Sequence, residues 1–294
     1  MLYRLLGANG LTVSVLGFGA GRIGDADLDE AAVGRLLNAA VDLGVTLFDT
    51  APSYGLSEQR IGRHLGHRRD GLVLSTKVGY GVAGQKDWTY GCVAAGIDAA
   101  LRRLATDRID IVHLHSCPLS TLLHGEVIDA LDDAVRAGKV RCAGYSGDNE
   151  PLAWAVEQGR FAAVEHSLSL CDQRVIDDTL ARALQRSLGV IAKRPVANAP
   201  WRFAECPLGD YAEEYWWRWR TMAIDPQGLD WQALALRFAA FTPGVHTCIV
   251  GTRDLAHLRR NAALIADGPL PAELVAAVRR AFHTSDPGWW RGET

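Results

Sequence analysis

The hydrophobic and polar positions of this chain form two alternating kinds of segment. Apolar runs of three to six residues are typical of buried strands, and segments with Leu, Val and Ala at three- and four-residue steps are typical of amphipathic helices. The predicted strands are Val13 to Phe18, Val45 to Phe48, Leu72 to Thr76, Ile109 to Leu114, Val140 to Tyr145, Phe161 to Glu165, Val190 to Ala192 and Val245 to Val250. The predicted helices include Asp29 to Leu43, Glu58 to Leu65, Gly91 to Leu104, Val127 to Ala137 and Arg174 to Leu188.

Eight strand and helix units without a linker or composition break predict one α/β domain over residues 1–294, a (β/α)8 TIM barrel. Asn9-Gly10 is a type I′ turn signal and predicts an N-terminal β-hairpin. Additional loop and C-terminal helical segments are expected over or around the barrel. The alternative is a doubly wound open sheet, which the absence of a GxGxxG motif after the first strand disfavours. Left-handed helix caps are predicted at Gly44, Gly138 and Gly189.

Composition narrows the function classes. The chain has 294 residues, 48% hydrophobic and 22% charged, which is typical of a globular protein with a large core. A net charge of -3 without a Lys/Arg block argues against a nucleic-acid or membrane partner. Six scattered cysteines without zinc-like spacing predict reduced thiols and no metal site. Because neither a signal peptide nor a membrane-spanning run is recognised, we expect a cytoplasmic location.

Two tryptophan-rich segments exceed what a barrel needs. One follows the seventh strand, from Pro195 to about Gly228, and the other is the tail with Trp289-Trp290. Both are predicted to lie over the mouth of the barrel. The indoles of the first segment either line a pocket or only pack a short helix against the barrel, and for the tail we favour packing. The first segment contains Trp201, Trp216, Trp217 and Trp219.

Three consecutive predicted strands each end in ionisable side chains. Asp49 and Tyr54 follow the second strand, Lys77 the third and His115 the fourth. Catalytic groups in a barrel gather at the carboxyl ends of strands. A phenol has a pKa of about 10, and an adjacent Lys77 ammonium is expected to lower it, while Asp49 keeps that lysine charged. The alternative is a purely structural ion pair of Asp49 and Lys77, with Tyr54 as a loop aromatic.

Short motifs extend this pattern along most of the chain. They are Leu16-Gly17-Phe18-Gly19, the segment from Asp49 to Gly55, Thr76-Lys77-Val78-Gly79, the segment from Arg108 to His115, Gly138-Lys139-Val140-Arg141, Gly144-Tyr145-Ser146, Gly251-Thr252 and Asn261. In this combination and spacing the chain resembles the aldo-keto reductases over nearly its whole length. The resemblance implies a barrel that binds NADPH or NADH without a Rossmann motif, and a catalytic tetrad.

The tetrad implied by the resemblance is Asp49, Tyr54, Lys77 and His115. Tyr54 would protonate the carbonyl oxygen as a hydride arrives, and His115 would orient and polarise that oxygen. His113 competes with His115, but the family's histidine falls five residues after the aspartate that corresponds to Asp110. Strand alternation puts His113 on the same face one layer deeper, where we expect a hydrogen-bonded core residue.

The implied cofactor contacts depart from the family in places. Ser146-Gly147 stands where the family has Ser-Asn, and Glu165 where it has a carboxamide-binding glutamine. NADPH is the expected cofactor, with NADH as the alternative, and Arg253 is the expected partner of its 2′-phosphate, although this arginine could instead lie on a solvated helix face. The implied cofactor-binding residues are Gly19, Ser146, Gly147, Glu165, Gly251, Thr252, Arg253, His257 and Asn261.

The predicted function is NAD(P)(H)-dependent transfer of a hydride between nicotinamide and a small carbonyl or alcohol substrate, namely an aldehyde, ketone or sugar. Trp88 and Trp217 are candidates for the substrate pocket. An ionised Glu165 beside the cationic oxidised ring would favour alcohol oxidation, whereas a protonated or paired Glu165 would not. The alternative function is a cofactor-binding regulatory subunit with little turnover, as in potassium-channel β-subunits. The sequence does not distinguish a monomer from a homo-oligomer.

Overall fold

A closed barrel of parallel strands forms the centre of the protein, whose computed structural model describes residues 1–293. The chain begins with an antiparallel hairpin of β1 (Tyr3–Leu5) and β2 (Thr12–Ser14). Eight strands then pair in parallel in chain order, and the last closes on the first. They are β3 (Leu16–Gly19), β4 (Leu47–Asp49), β5 (Val73–Val78), β6 (Ile109–His115), β7 (Val140–Ser146), β8 (Ala163–Ser167), β9 (Gly189–Lys193) and β10 (Thr247–Val250). The predicted (β/α)8 barrel is confirmed, and the open sheet is wrong.

Helices surround this barrel, and polar residues cap several of them. Asp29, Thr89, Asp230 and Asp254 each accept a hydrogen bond from a backbone N–H in the first turn of the helix that follows. The helices are α1 (Glu30–Asp42), α2 (Ser57–Leu65), α3 (Tyr90–Arg103), α4 (Leu119–His124), α5 (Glu126–Arg136), α6 (Asn149–Glu157), α7 (Ala181–Gln185), α8 (Glu213–Met222), α9 (Trp231–Phe241), α10 (Leu255–Ala266) and α11 (Ala272–Ser285).

The N-terminal hairpin closes the amino end of the barrel. Leu6, Leu11 and Val13 form a buried apolar cluster with residues from the barrel strands. The strand residues in that cluster are Leu47, Val73, Ile111, Cys142, Ala163 and Ile191. Because this end is filled with apolar side chains, polar chemistry is confined to the carboxyl ends of the strands, as in other barrels of this kind.

The hairpin differs from the prediction in two details. The run Val13 to Phe18 is divided between β2 and β3, because the Ser14 hydroxyl donates to the Leu16 carbonyl and separates the two strands. The type I′ turn is wrong, since that turn needs positive φ at both central residues and only Gly10 of the Asn9-Gly10 pair has it. Asn9 instead donates to the Ala162 carbonyl at 3.2 Å and ties the hairpin to the start of β8.

The segment Arg174 to Leu188 is not one regular helix. It contains a π-helical turn at Ile176–Leu180 that leads into α7. The chain leaves α7 through Ser187, which adopts φ 57°, so the predicted left-handed cap at Gly189 is wrong. Gly189 begins β9, where an added Cβ would lie 2.6 Å from Leu6 Cγ. The caps at Gly44 and Gly138 are confirmed, with φ of 89° and 73°.

All six cysteines are free thiols, five of them buried and Cys206 partly exposed. Within residues 1–293, no helix combines the length and apolar character needed to cross a membrane.

Candidate active site

The four residues of the predicted tetrad come together at the carboxyl end of the barrel. Asp49 ends β4, Lys77 lies in β5 and His115 ends β6, so neighbouring parallel strands deliver them to one edge. Lys77 Nζ lies 2.5 Å from Asp49 Oδ2 and donates to the Thr50 carbonyl at 3.1 Å. Both charged side chains are at most 2% exposed, which makes this ion pair part of the barrel interior.

Tyr54 lies in the turn after β4. Its ring centroid is 5.4 Å from Lys77 Nζ and 6.2 Å from the His115 ring, which it meets edge-on at 89°. The turn is pressed against the loop after β3, where an added Cβ on Gly24 would lie 1.6 Å from the Tyr54 carbonyl oxygen. Gly55 has φ 56°, a left-handed conformation that favours glycine. These glycines let the chain bring the phenol beside the ion pair.

Glu165 adds a second carboxylate to the buried lysine. From β8 its Oε1 lies 3.4 Å from Lys77 Nζ and accepts a hydrogen bond from Ser146 Oγ at 3.0 Å. Its Oε2 has no hydrogen-bond partner in the described chain and is 3.9 Å from His113 Nε2. Glu165 is therefore a buried acceptor with one free oxygen.

His113 is buried as predicted, but the prediction that it is hydrogen-bonded is wrong. Neither ring nitrogen has a partner among residues 1–293. Burial, helped by Lys77, lowers the pKa of His113 to about 4, so the ring is neutral at pH 7. Asp49, His113 and Glu165 offer ligand atoms within 4.8 Å of one another, but the ammonium of Lys77 already supplies the positive charge of this group.

Two carboxyl groups compete for one ammonium. Burial and the Glu165 carboxylate raise the pKa of Asp49 to about 7, although Lys77 opposes them. Burial would also raise the pKa of Glu165, but Lys77, His113 and Lys193 together lower it to about 2. Burial disfavours the charged lysine, yet the two carboxylates raise the pKa of Lys77. Lys77 is therefore cationic and Glu165 anionic at neutral pH.

The pKa of Tyr54, which was expected to be lowered, is raised in the structure. Lys77 does lower the pKa of Tyr54, but burial and the carboxylates of Asp49 and Glu165 raise it by more, so the net direction is upward. The sequence-based prediction was wrong because it counted the lysine without the burial of the phenol and without the carboxylates that raise its pKa. Tyr54 is protonated at neutral pH and is suited to donate a proton.

His115 is neutral and contacts a residue that the motifs did not indicate. Burial and the charge of Lys77 lower the pKa of His115 to about 3. Its Nδ1 lies 2.8 Å from the hydroxyl oxygen of Tyr80. The only signal for Tyr80 in the sequence is its position just after the strand that carries Lys77. Trp88, a pocket candidate, packs its ring 5.6 Å from that of Tyr80, and so lies near the tetrad.

The residues expected to hold nicotinamide lie at the ends of β7 and β8. The Ser146 hydroxyl donates to Glu165, and Gly147 N donates to the Glu165 carbonyl at 3.0 Å. An added Cβ on Gly147 would lie 2.5 Å from the Tyr145 hydroxyl oxygen. Tyr145 thus explains why glycine stands where the family has asparagine.

A second group of predicted contacts lies where β3 and β10 end. Gly19 and Gly251 touch, since an added Cβ on Gly251 would lie 2.9 Å from the Gly19 carbonyl oxygen. Arg22, which the motifs did not indicate, borders Gly251 and adds a cation to this corner. Thr252 Oγ1 accepts a hydrogen bond from Asp254 N, at the start of α10.

Two of the predicted adenosine contacts, Arg253 and Asn261, already have partners. Arg253 Nη1 lies 3.4 Å from Asp25 Oδ2, with both side chains about half exposed. Asn261 is buried and its Oδ1 accepts from Gln232 Nε2 at 3.0 Å. His257 is exposed on α10. Any anion bound by Arg253 therefore competes with Asp25.

The tryptophans of the first tryptophan-rich segment pack against other tryptophans. Trp201 and Trp219 lie against Trp231, with ring centroids 6.1 and 5.3 Å away, which supports the packing interpretation for both. Trp217 is 53% exposed and meets Trp216 edge-on, and this contact does not involve the tetrad.

The tail reaches the carboxyl end of β8. Trp290 packs against Phe282 of α11, as expected for a packing role. Further along, the backbone carbonyl of Glu293 accepts hydrogen bonds from Ser167, the last residue of β8, and from Arg194.

Known proteins are similar to this chain in sequence and in fold. The model of the aldo/keto reductase family matches residues 15–282. The L-galactose dehydrogenase of Arabidopsis thaliana is 28% identical over 289 residues, covering 90% of this chain and 88% of its own. A probable voltage-gated potassium channel subunit beta from the same plant is 34% identical over 165 residues, covering 54% of this chain and 48% of its own.

A solved structure gives the same result. The holo form of an aldo-keto reductase from Bacillus halodurans superposes with a TM-score of 0.83 at 26% identity, covering 96% of each chain. The family match covers nearly the whole chain, and its range includes all eight strands of the closed barrel. The protein is therefore a member of the aldo-keto reductase family.

Proposed function

We propose that the protein is a nicotinamide-dependent oxidoreductase that interconverts a small carbonyl compound and the corresponding alcohol, with an aldehyde, ketone or sugar as substrate. The observation that carries the proposal is the buried ion pair of Lys77 and Asp49, with the Tyr54 and His115 rings beside it. An ion pair with a purely structural role would not need two polar rings beside it.

The residues present suit a nicotinamide dinucleotide. Glu165 Oε2 is a buried acceptor without a partner in the described chain, and it can accept a hydrogen bond from a carboxamide N–H. Together with Ser146 and Gly147, Glu165 would hold the nicotinamide end. Gly19, Gly251, Thr252, Arg253, His257 and Asn261 would hold the adenosine end. When bound, this cofactor supplies or takes up the hydride.

Each member of the tetrad has a role that follows from its charge. Tyr54 donates its hydroxyl proton to the substrate oxygen in reduction and takes it back in oxidation. Lys77 stays cationic and stabilises the phenolate that this transfer leaves. Asp49 holds Lys77 in position, and neutral His115 donates a hydrogen bond to the same substrate oxygen, which polarises the carbonyl group.

NADPH is our preferred cofactor, because Arg22 and Arg253 bring two cations to the corner that would hold a 2′-phosphate. We further propose one domain, a cytoplasmic location and a small-molecule partner. Trp88 belongs to our proposed substrate pocket, since it packs on Tyr80 next to His115. For Trp217 the exposed ring is the only support.

A regulatory subunit is the second candidate, favoured by the similarity to the potassium channel subunit over half of this chain. The two functions predict different behaviour. A regulatory subunit would bind the dinucleotide and reduce no member of a panel of aldehydes, ketones and sugars, whereas an enzyme would turn over at least one of them.

Replacement of Tyr54 by phenylalanine tests the enzymatic proposal. It removes the proton donor while keeping the ring, so kcat should fall by about 10²- to 10⁴-fold, with the Kd of NADPH little changed. Tyr90→Phe is the matched control, because the Tyr90 hydroxyl donates to Asp133 on the surface. If Tyr54→Phe keeps most of the wild-type turnover, the tetrad is not the catalytic machinery.

A further inference from the structure

Tyr80 and His115 form a pair at the mouth of the barrel. Tyr80 follows β5 by two residues, and its hydroxyl oxygen lies 2.8 Å from His115 Nδ1. The two rings are inclined by only 24°, with centroids 5.5 Å apart. The Tyr54 ring approaches the same imidazole edge-on. His115 is thus held between two tyrosines, only one of which belongs to the tetrad.

The loop that carries Tyr80 is closed on itself. Trp88 N donates to the Gly79 carbonyl at 2.7 Å, and Gly81 N donates to Asp87 Oδ1 at 2.9 Å. Trp88 has φ 61°, a left-handed conformation that is strained for a residue with a side chain. Such strain persists where surrounding contacts hold it, and it clusters at functional sites.

Gly79 lets the Trp88 ring enter this arrangement. An added Cβ on Gly79 would lie 2.2 Å from Trp88 Cζ3, and Gly79 itself has φ 136°. The indole then packs on the ring of Tyr80, with centroids 5.6 Å apart. The loop therefore holds the Tyr80 side chain in one place against His115.

A neutral imidazole has one nitrogen that donates and one that accepts. Which nitrogen carries the proton is set by the hydrogen bond that the other one makes. A phenol is the more acidic donor and an imidazole nitrogen the more basic acceptor, so the stronger pairing is O–H to N. With Nδ1 accepting from Tyr80, the proton of His115 resides on Nε2.

We propose that Tyr80 is a positioning residue whose hydroxyl donates to His115 Nδ1 and thereby keeps the proton on Nε2, from which His115 donates to the substrate oxygen. The position of the proton follows from the contacts of this chain alone. The effect on turnover also rests on the proposed function.

Nitrogen-15 NMR of the imidazole rings tests the position of the proton without substrate or cofactor. His115→Asn identifies the His115 signals among the nine histidines. We expect wild-type Nε2 to have the shift of a protonated nitrogen and Nδ1 that of a bare one. In Tyr80→Phe the two shifts should move towards each other, and in the control Tyr90→Phe they should stay unchanged.

Kinetics then test the consequence. Tyr80→Phe loses one hydrogen bond to His115, so kcat should fall about tenfold while KM changes little. A protonated Nδ1 in the wild type, or unchanged shifts in Tyr80→Phe, would overturn the proposal. A change in KM alone would also overturn it, because Tyr80 would then only line the substrate pocket.

The NMR and the kinetic experiments distinguish a failure of this proposal from a failure of the proposed function. If the wild type reduces no carbonyl compound, the proposed function fails, while the wild-type spectrum still decides where the His115 proton lies. If Tyr80→Phe does not fold, the same wild-type spectrum decides the hydrogen-bond direction. A protonated Nε2 supports the proposal and a bare Nε2 overturns it.

Discussion

Replacing Glu165 with glutamine removes one buried negative charge and keeps the shape of the side chain. The glutamine oxygen can still accept from Ser146, as Glu165 Oε1 does at 3.0 Å. What changes is the electrostatic environment of Lys77 and Tyr54. In the wild type the charges of two carboxylates raise the pKa of Tyr54, and in the variant only that of Asp49 remains.

The size of the effect follows from the distances. Glu165 Oε1 is 3.4 Å from Lys77 Nζ, which is 5.4 Å from the Tyr54 ring centroid, so the charge lies within about 9 Å of the ring. At an effective dielectric constant of about 20, a unit charge at about 9 Å contributes about 2 kcal/mol, or roughly one pKa unit. Because the Glu165 charge raises the pKa of Tyr54, its removal should lower that pKa by about one unit.

Alcohol oxidation needs the phenolate, so its pH profile is the appropriate assay. The kcat for oxidation should rise with pH as Tyr54 loses its proton. We expect this rising limb to move to lower pH by about one unit in Glu165→Gln. The oxidised nicotinamide ring is cationic, so the ratio of the Kd of NADPH to that of NADP⁺ should also fall about tenfold in the variant.

Glu273→Gln on the exposed start of α11 is the matched control, with the same charge change on the surface. An unchanged pH profile together with an unchanged Kd ratio in Glu165→Gln would refute the reasoning. Both observations would mean that the Glu165 charge does not act on the reacting groups.

Further substitutions test the residues proposed to hold the adenosine end of the cofactor and the turn that carries Tyr54. Arg253→Ala should weaken NADPH binding about tenfold and leave NADH binding nearly unaffected. Asp25→Asn frees Arg253 and should therefore tighten NADPH binding. Equal losses for both cofactors in Arg253→Ala would exclude the contact. Gly24→Ala should lower the free energy of unfolding by about 2 kcal/mol or more in urea titrations, because its Cβ would lie 1.6 Å from the Tyr54 carbonyl oxygen; an unchanged unfolding midpoint would show that this close approach is absent.

The barrel, and the meeting of three ionisable side chains at one edge of it, could be predicted because both depend on local patterns. Apolar runs mark the strands, and parallel strands bring their carboxyl ends to one edge, so Asp49, Lys77 and His115 had to meet there. Helices such as α1 and α3 followed from apolar residues at three- and four-residue steps.

Contacts across the barrel and within loops could not be predicted in the same way. Glu165 reaches Lys77 from β8 to β5, which are not neighbours, and strand periodicity gives a face but no distance. That missing contact adds to the burial and to the Asp49 charge, which together raise the pKa of Tyr54. The pairing of Tyr80 with His115 depends on the left-handed conformation of Trp88, which no residue pattern indicates.

Deuterium transfer is the decisive measurement for hydride chemistry at this site. Wild-type protein is incubated with NADPH that carries two deuterium atoms at C4 of the nicotinamide, together with a panel of aldehydes, ketones and sugars. The products are analysed by mass spectrometry and NMR. We predict one deuterium on the former carbonyl carbon of at least one product, formed by the wild type and reduced at least a hundredfold in rate by Tyr54→Phe, on the order expected for loss of a general acid. Tight binding of NADPH with no deuterium in any product would contradict the proposed function.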